Sequence, residues 1–276
     1  MSEAQDGGSN DALRFEKHGG IATLTMNRPE ARNALTTGMF LDMERILIDI
    51  ESDADVRVVV ITGTGRGFSA GADLKPVSKE ERRRTEAPSF PGDRGGDILV
   101  RANRCILRLQ QLPKPVIASI NGDAVGVACS LALAADFRIA SEAARLGVVF
   151  SKIGLGPDGG ASYFLPKLVG TAKALELMFL GDLVEAPEAH RIGLVNRVVA
   201  SESLAKETAG WAERFASGPT LAYAMAKEAV FQGANLPLES VLDLEARNQQ
   251  TAARSQDAKE GIRAFLEKRK ANFQGY

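Results

Sequence analysis

Residues 56–62, VRVVVIT, form an almost unbroken run of β-branched side chains, and glycines follow at once at 63, 65, 67 and 71. A strand with one wet face alternates apolar and polar residues, whereas a continuous apolar run predicts a strand covered on both faces, as in the interior of a largely parallel sheet. Parallel strands cannot be joined by tight hairpins, so the chain has to leave each one through a turn and return by a crossover. The same grammar recurs at 116–120 (VIASI), which is followed by Gly122, Gly126 and a small-residue helix predicted over 127–135. Further strands are expected at 137–140, 146–149 and 195–199.

Around these runs the reading is simpler. Two short strands, 13–15 and 21–26, meet at the turn His18-Gly19-Gly20. A helix over 33–50, capped by Asn33 or Thr36, places Leu35, Met39, Met43, Ile46, Leu47 and Ile50 at helical spacing. Helices are also expected at 97–112, from 160 towards Leu168, and at 171–180, and from Ser203 onwards only helices are expected. The fold class is therefore α/β, with a core over 1–202 and a helical C-terminal region over 203–276. The start, 1–11, is polar and glycine-rich and leans to disorder. Residues 75–96 are charged and lack a persistent apolar face, which reads as a mobile excursion over a site, with Arg82, Arg83 and Arg84 on a solvated face.

Composition narrows the chemistry. Lys and Arg number 34 against 35 Asp and Glu, a net charge of −1, so there is no chain-wide electrostatic reason to bind nucleic acid or an acidic membrane. Two Cys and two His exclude a disulfide framework and a Cys/His metal cluster, and weaken any Ser-His or Cys-His dyad. No metal is expected. No apolar stretch approaches the roughly 20 residues of a spanning helix. The polar start is no secretory or transit signal, so a cytoplasmic location is the expectation. What remains for chemistry is carboxylates, loops and backbone N–H groups.

Two segments carry a resemblance. Residues 58–74 (VVVITGTGRGFSAGADL) and 114–136 (KPVIASINGDAVGVACSLALAAD) closely resemble the crotonase superfamily, the enoyl-CoA hydratases and isomerases. The likeness continues, in the family's order, through NRPEARNAL at 27–35, GLGPDGG at 154–160, EAPEAHRIGLVNRVV at 185–199 and FLEKRKANF at 265–273. It implies a spiral of strand-strand-helix turns with a C-terminal helical region that packs subunits into trimers, or hexamers as dimers of trimers. It also implies an acyl-CoA thioester as substrate, CoA entering as part of that substrate and no separate cofactor.

The family pattern transfers residue by residue. The oxyanion donors are implied to be the backbone N–H groups of Ala72 and Val127, which suits an enolate whose developing charge needs preorganised donors. Where the family often has glycine, Val127 adds a branched side chain beside the acyl group. The residues around the donors, Ala70, Gly71, Asp73, Leu74 and Gly126, are expected against the bound acyl-CoA with Phe150, and Asp73 also caps or braces its loop. Arg28, Arg32, Lys75, Phe265 and Lys268 match places that contact the CoA moiety, where cations suit phosphates.

The hydratases' two glutamates align with Ser130 and Phe150, so both acids are missing. That weakens a hydratase reading, since adding water needs one group for the water and another for the proton at C2. Asp158 stands where several family isomerases carry a catalytic Asp, and FSKIGLGPDGG at 150–160 is closest to the ring-1,2-epoxyphenylacetyl-CoA isomerases. One carboxylate with its pKa raised by apolar walls suffices to move a double bond. The other reading of Asp158 is a helix N-cap. Asp136 and Glu142 read as structural, Ser130 and Cys129 as packing residues, and His190 as surface. The rival activities are a 2-enoyl-CoA hydratase, an aryl-CoA dehalogenase and a silent relative that binds CoA or RNA.

Overall fold

The computed structural model describes residues 12–75, 79–86 and 97–276. The expected order begins in β1 (Leu13–His18) and β2 (Ile21–Met26), an antiparallel pair closed by Gly19 and Gly20 at φ 58° and 82°. Two consecutive left-handed residues make the tight hairpin whose twist matches the strands. Parallel pairing follows: β2 to β3 (Val58–Gly63), β3 to β4 (Val116–Ile120), β4 to β6 (Phe137–Ser141) and β6 to β9 (Arg197–Val199). The resulting sheet runs β1-β2-β3-β4-β6-β9.

The unbroken apolar run of β3 is explained by its two covered faces. Val59 and Ile61 join the main core with Met39, Met43, Leu47 and Ile50 of α1 (Thr37–Ser52) and Cys105 and Leu109 of α3 (Ile98–Gln111). Val58 and Val60 face the other way, packing with Ile117, Ile139 and Leu204, Ala212 and Ala216 of α8 (Leu204–Ala216). The first helix after the predicted domain boundary thus forms the layer over the sheet's second face.

Between α1 and α3 lies α2 (Lys79–Glu86), so the excursion expected to be loop-like contains a helix. Its sequence, KEERRRTE, has no apolar stripe, and tertiary ties replace one. Arg84 pairs with Asp42 of α1, and Arg101 of α3 donates from Nη2 to the Thr85 carbonyl at 2.8 Å. Arg84 is therefore engaged rather than merely solvated. The remaining residues of the excursion, and the start at 1–11, lie outside the described residues.

A second, three-stranded sheet, β5-β7-β8, combines β5 (Ala124–Val125), β7 (Arg145–Gly147) and β8 (Val184–Glu185). Two- and three-residue strands leave too little periodicity to read in sequence, and β5 and β8 were not expected. Small helices complete the spiral: α4 (Val127–Ala134), α5 (Ala161–Val169), α6 (Thr171–Leu180) and α7 (Ala186–Arg191). The chain ends in α9 (Thr220–Gly233), α10 (Leu238–Ala252) and α11 (Gln256–Leu266). These last helices expose Val230, Leu238, Leu242, Ile262, Phe265 and Leu266. No helix among the described residues is long and apolar enough to cross a membrane.

Candidate active site

Two glycine-rich turns leave β3 and β4 and are zipped side by side. Ser69 bridges to Ala124, with Ser69 N donating to Asp123 O at 2.9 Å and Val125 N to Ser69 O at 3.0 Å. Gly71 then adopts φ 94°, and the Cβ it lacks would lie 2.7 Å from Val125 O and 3.9 Å from Gly126 Cα. Only glycine allows both the backbone turn and the approach.

This contact brings the two expected donors onto adjoining backbone. Ala72 pairs with Leu35 in a parallel bridge whose bonds are made by its neighbours, Leu35 N to Gly71 O and Asp73 N to Leu35 O, both 2.8 Å. The N–H of Ala72 is left over on the opposite side. Val127 is the first residue of α4, where an N–H has no acceptor within its own helix. Gly126 before it holds φ 58° and ψ −129°, a conformation reserved for glycine, and donates its own N–H to Gly147 O at 2.8 Å. The Val127 side chain is buried in the core cluster.

The loop after β7 closes over this pair. The Phe150 ring edge lies 3.7 Å from where a Gly126 Cβ would be, so the aromatic wall stands against the second donor turn. Ser130, one turn into α4, donates from Oγ to the Asp158 carbonyl at 2.9 Å. Gly159 and Gly160 are left-handed, and a Cβ on Gly159 would collide with Ser130 Cβ at 2.8 Å and Ile106 Cδ1 at 2.9 Å. Donor turns, Phe150 and Asp158 are thereby held around one helix N-terminus.

The Asp158 carboxyl is not a cap. The N-cap of α5 is Gly160, without a side-chain cap bond; Asp158 contributes only its backbone carbonyl, to Ala161 N at 3.1 Å. Its Oδ1 is buried without a hydrogen-bond partner among the described residues. Burial pushes this carboxyl above the ordinary carboxylate range, and no cation among the described residues counters it. Cys129, inside α4, is buried, and burial pushes its thiol up to about 12.

The cations expected on CoA fall into two groups. Arg28 is committed to the first donor loop: Nη1 donates to Ala34 O at 2.7 Å and to Asp73 Oδ2 at 2.9 Å. Asp73 also accepts from Lys75 N at 3.1 Å. Burial acts to raise its pKa, but these bonds outweigh it and hold the carboxyl below its ordinary value. Asp73 thus braces the loop that presents Ala72. Ala70, Leu74, Lys75 and Arg32 are exposed beside that loop, and the Arg32 backbone carbonyl accepts the Ala70 N–H at 2.9 Å. Phe265, 83% exposed at the end of α11, and Lys268 beyond it make no hydrogen bond or ion pair to the donor loops among the described residues.

Two asparagines were missed as site-builders. Asn33, expected as a possible helix cap, is left-handed at φ 56° and fully buried; Thr36 caps α1 instead, accepting from Met39 N. Asn33 Nδ2 donates to Thr64 O and Gly67 O, both 2.8 Å, and its Oδ1 accepts from Arg28 N at 2.9 Å. Asn121 Nδ2 reaches the carbonyls of Gly63, Gly65 and Gly67. A side-chain amide beside Gly-rich turns was the only sequence signal. The expected structural residue Asp136 does pair, accepting from Lys227 Nζ at 2.9 Å and Val116 N at 2.8 Å.

Comparisons with known proteins agree with this geometry. Residues 16–276 match the family described as enoyl-CoA hydratase/isomerase. The chain is 38% identical to the 1,2-epoxyphenylacetyl-CoA isomerase of Escherichia coli (strain K12) over 93% of its length and 95% of the relative's. It is equally 38% identical to the crotonyl-CoA hydratase of Syntrophomonas wolfei, covering 94% and 96%. Among solved structures it superposes on an enoyl-CoA hydratase from Bacillus anthracis with a TM-score of 0.86 at 32% identity, covering 96% of this chain and 100% of that one. With the fold, the paired glycine-rich turns and these matches together, the chain belongs to the enoyl-CoA hydratase/isomerase family of acyl-CoA enzymes.

Proposed function

We propose that this enzyme is an enoyl-CoA isomerase that moves a double bond from the 3 to the 2 position of an acyl-CoA, or its equivalent in a ring compound. The observation that carries the reading is Asp158: a half-buried carboxyl whose Oδ1 has no partner among the described residues, seated against the N-terminal turn of α4. The thioester oxygen sits between the N–H groups of Ala72 and Val127. The Asp158 carboxylate takes a proton from C2, the C2–H electron pair delocalises into a dienolate with charge on that oxygen, and the same carboxyl returns the proton at C4. Preorganised donors of this kind contribute about 10²-fold or more each. With Ser130 and Phe150 at the two aligned hydratase positions, the chain has one acid where hydration calls for two. The CoA moiety is read as held by Arg32, Lys75, Phe265 and Lys268, and the exposed apolar side chains of α9 to α11 as the faces that assemble trimers.

The test offers purified enzyme 3-enoyl-CoA and 2-enoyl-CoA separately, with Asp158→Ala alongside. Isomerisation that falls at least about 100-fold in the variant supports the base. Isomerisation that survives unchanged removes it, and efficient hydration of crotonyl-CoA by the native enzyme replaces the isomerase reading with the hydratase one.

A further inference from the structure

Ser130 occupies the interior of α4, fully buried among Ala128, Cys129, Leu131 and Ala132. A hydroxyl there costs free energy unless it is bonded, and the partner it has is not in its own helix. Oγ donates to the Asp158 carbonyl at 2.9 Å, while the back-bond to Gly126 O, which serine commonly makes in a helix, is stretched to 3.5 Å. The main chain of Ser130 completes the connection, its N–H donating to Gly126 O at 3.1 Å. One residue therefore touches both the glycine that presents the second oxyanion donor and the residue that carries the carboxyl.

The fit across this contact is close. Gly159 can lie against Ser130 only because it has no Cβ, and α4 can accept it only because residue 130 is small. A long side chain at 130 and the Asp158-Gly159 backbone would claim the same space. Among the described residues nothing bonds the Asp158 Oδ1 to orient it, so the backbone that carries the carboxyl bears on its placement.

We propose that Ser130 is a positioning residue, its hydroxyl seating the Asp158 loop on α4 so that the base and the Val127 donor keep one fixed separation. The inference rests on the reading of Asp158 as the base. Holding a proton shuttle against a fixed enolate site matters because displacement of about 1 Å can cost 10²-fold in rate. Without the hydroxyl, the Asp158 carbonyl keeps the Ala161 N–H but loses its tie to α4, the loop loosens, and water reaches the carboxyl.

The experiment compares native enzyme, Ser130→Ala, Ser130→Cys and Asp158→Asn on a 3-enoyl-CoA across pH, with circular dichroism as a check of folding. Ser130→Ala is expected to lower kcat about 10-fold while KM stays within about twofold, since chemistry is displaced and CoA binding is not. The acid limb of its kcat profile moves to lower pH, because a better solvated carboxyl ionises more readily. Ser130→Cys, with similar size and a weak donor, falls between. Amide exchange at Gly159 to Ala161 quickens in Ser130→Ala. An alanine variant with native kcat, acid limb and exchange, beside an inactive Asp158→Asn, overturns the seating role and leaves the base intact. Full activity in Asp158→Asn overturns the base, and with it the catalytic meaning of the seat.

Discussion

Asp158 is held at an energetic disadvantage. Its carboxylate is partly desolvated, one oxygen has no partner among the described residues, and burial raises the pKa. A carboxyl whose pKa is higher folded than unfolded makes no demand at low pH, where both states are protonated, and costs stability once pH rises past both values. Asp158→Asn is therefore expected to have a higher thermal midpoint than native enzyme at pH 7, with the gain shrinking as pH falls towards the ordinary Asp value. Calorimetry across that range checks the sign. Gly71 is the converse case, a residue whose missing side chain is its function. Gly71→Ala combines φ 94° with a Cβ 2.7 Å from Val125 O, so the two donor turns have to part. A stability loss of about 1–3 kcal/mol is expected from strain and overpacking. On the proposed role of Ala72 and Val127 as oxyanion donors, displacing one adds a kcat loss of about 10²-fold, measured at saturating substrate.

Between elements, the two glycine-rich loops are held by side-chain amides as well as by their short backbone bridges. Asn33 gathers Thr64 O, Gly67 O and Arg28 N, and Arg28 in turn clamps Asp73, so a residue outside the chemistry sets where Ala72 points. Asn33→Ala is expected to cost about 2–3 kcal/mol in urea unfolding, from three buried groups left short of a partner and alanine in a left-handed conformation. Asn33→Gly removes the backbone part of that cost and is expected to be the milder variant. The α2 helix makes the same point without catalysis. Its residues predict a solvated segment, and its place is decided by Asp42 and Arg101 on other helices.

Over the whole molecule, the C-terminal region is pinned to the sheet by polar contacts as well as by α8. Lys227 of α9 donates to Asp136 beside β6, to Leu109 O and to Lys114 O, with only 9% of its side chain exposed. Burial lowers the Lys227 pKa and raises that of Asp136, each partly countered by the other's charge. Removing one partner of such a pair strands a charge, so Lys227→Ala is expected to cost about 3–5 kcal/mol by urea unfolding. The double variant Lys227→Met with Asp136→Asn is expected to regain most of that loss, because no lone charge remains. Arg57, ahead of β3, closes the other end, reaching Gly218 O, Thr220 and Phe273 O in the tail.

Much of this was legible from local pattern. The β-branched run at 56–62 announced an interior strand, the small-residue stretch at 127–135 announced α4, and the glycines marked the turns, because burial on both faces and left-handed backbone leave compositional traces. The motif resemblance named Ala72, Val127 and Asp158 as candidates. What the chain order alone could not decide was anything made by approach across the fold. That Gly71 meets Gly126, that Asn33 is a loop clamp rather than a cap, that α2 exists, and that the Ser130 hydroxyl reaches the Asp158 carbonyl while the Asp158 side chain leaves α5 uncapped all depend on partners tens of residues away. Such contacts are selected by closeness in space and by which buried polar groups remain unpaired after folding, and neither quantity is written in local sequence.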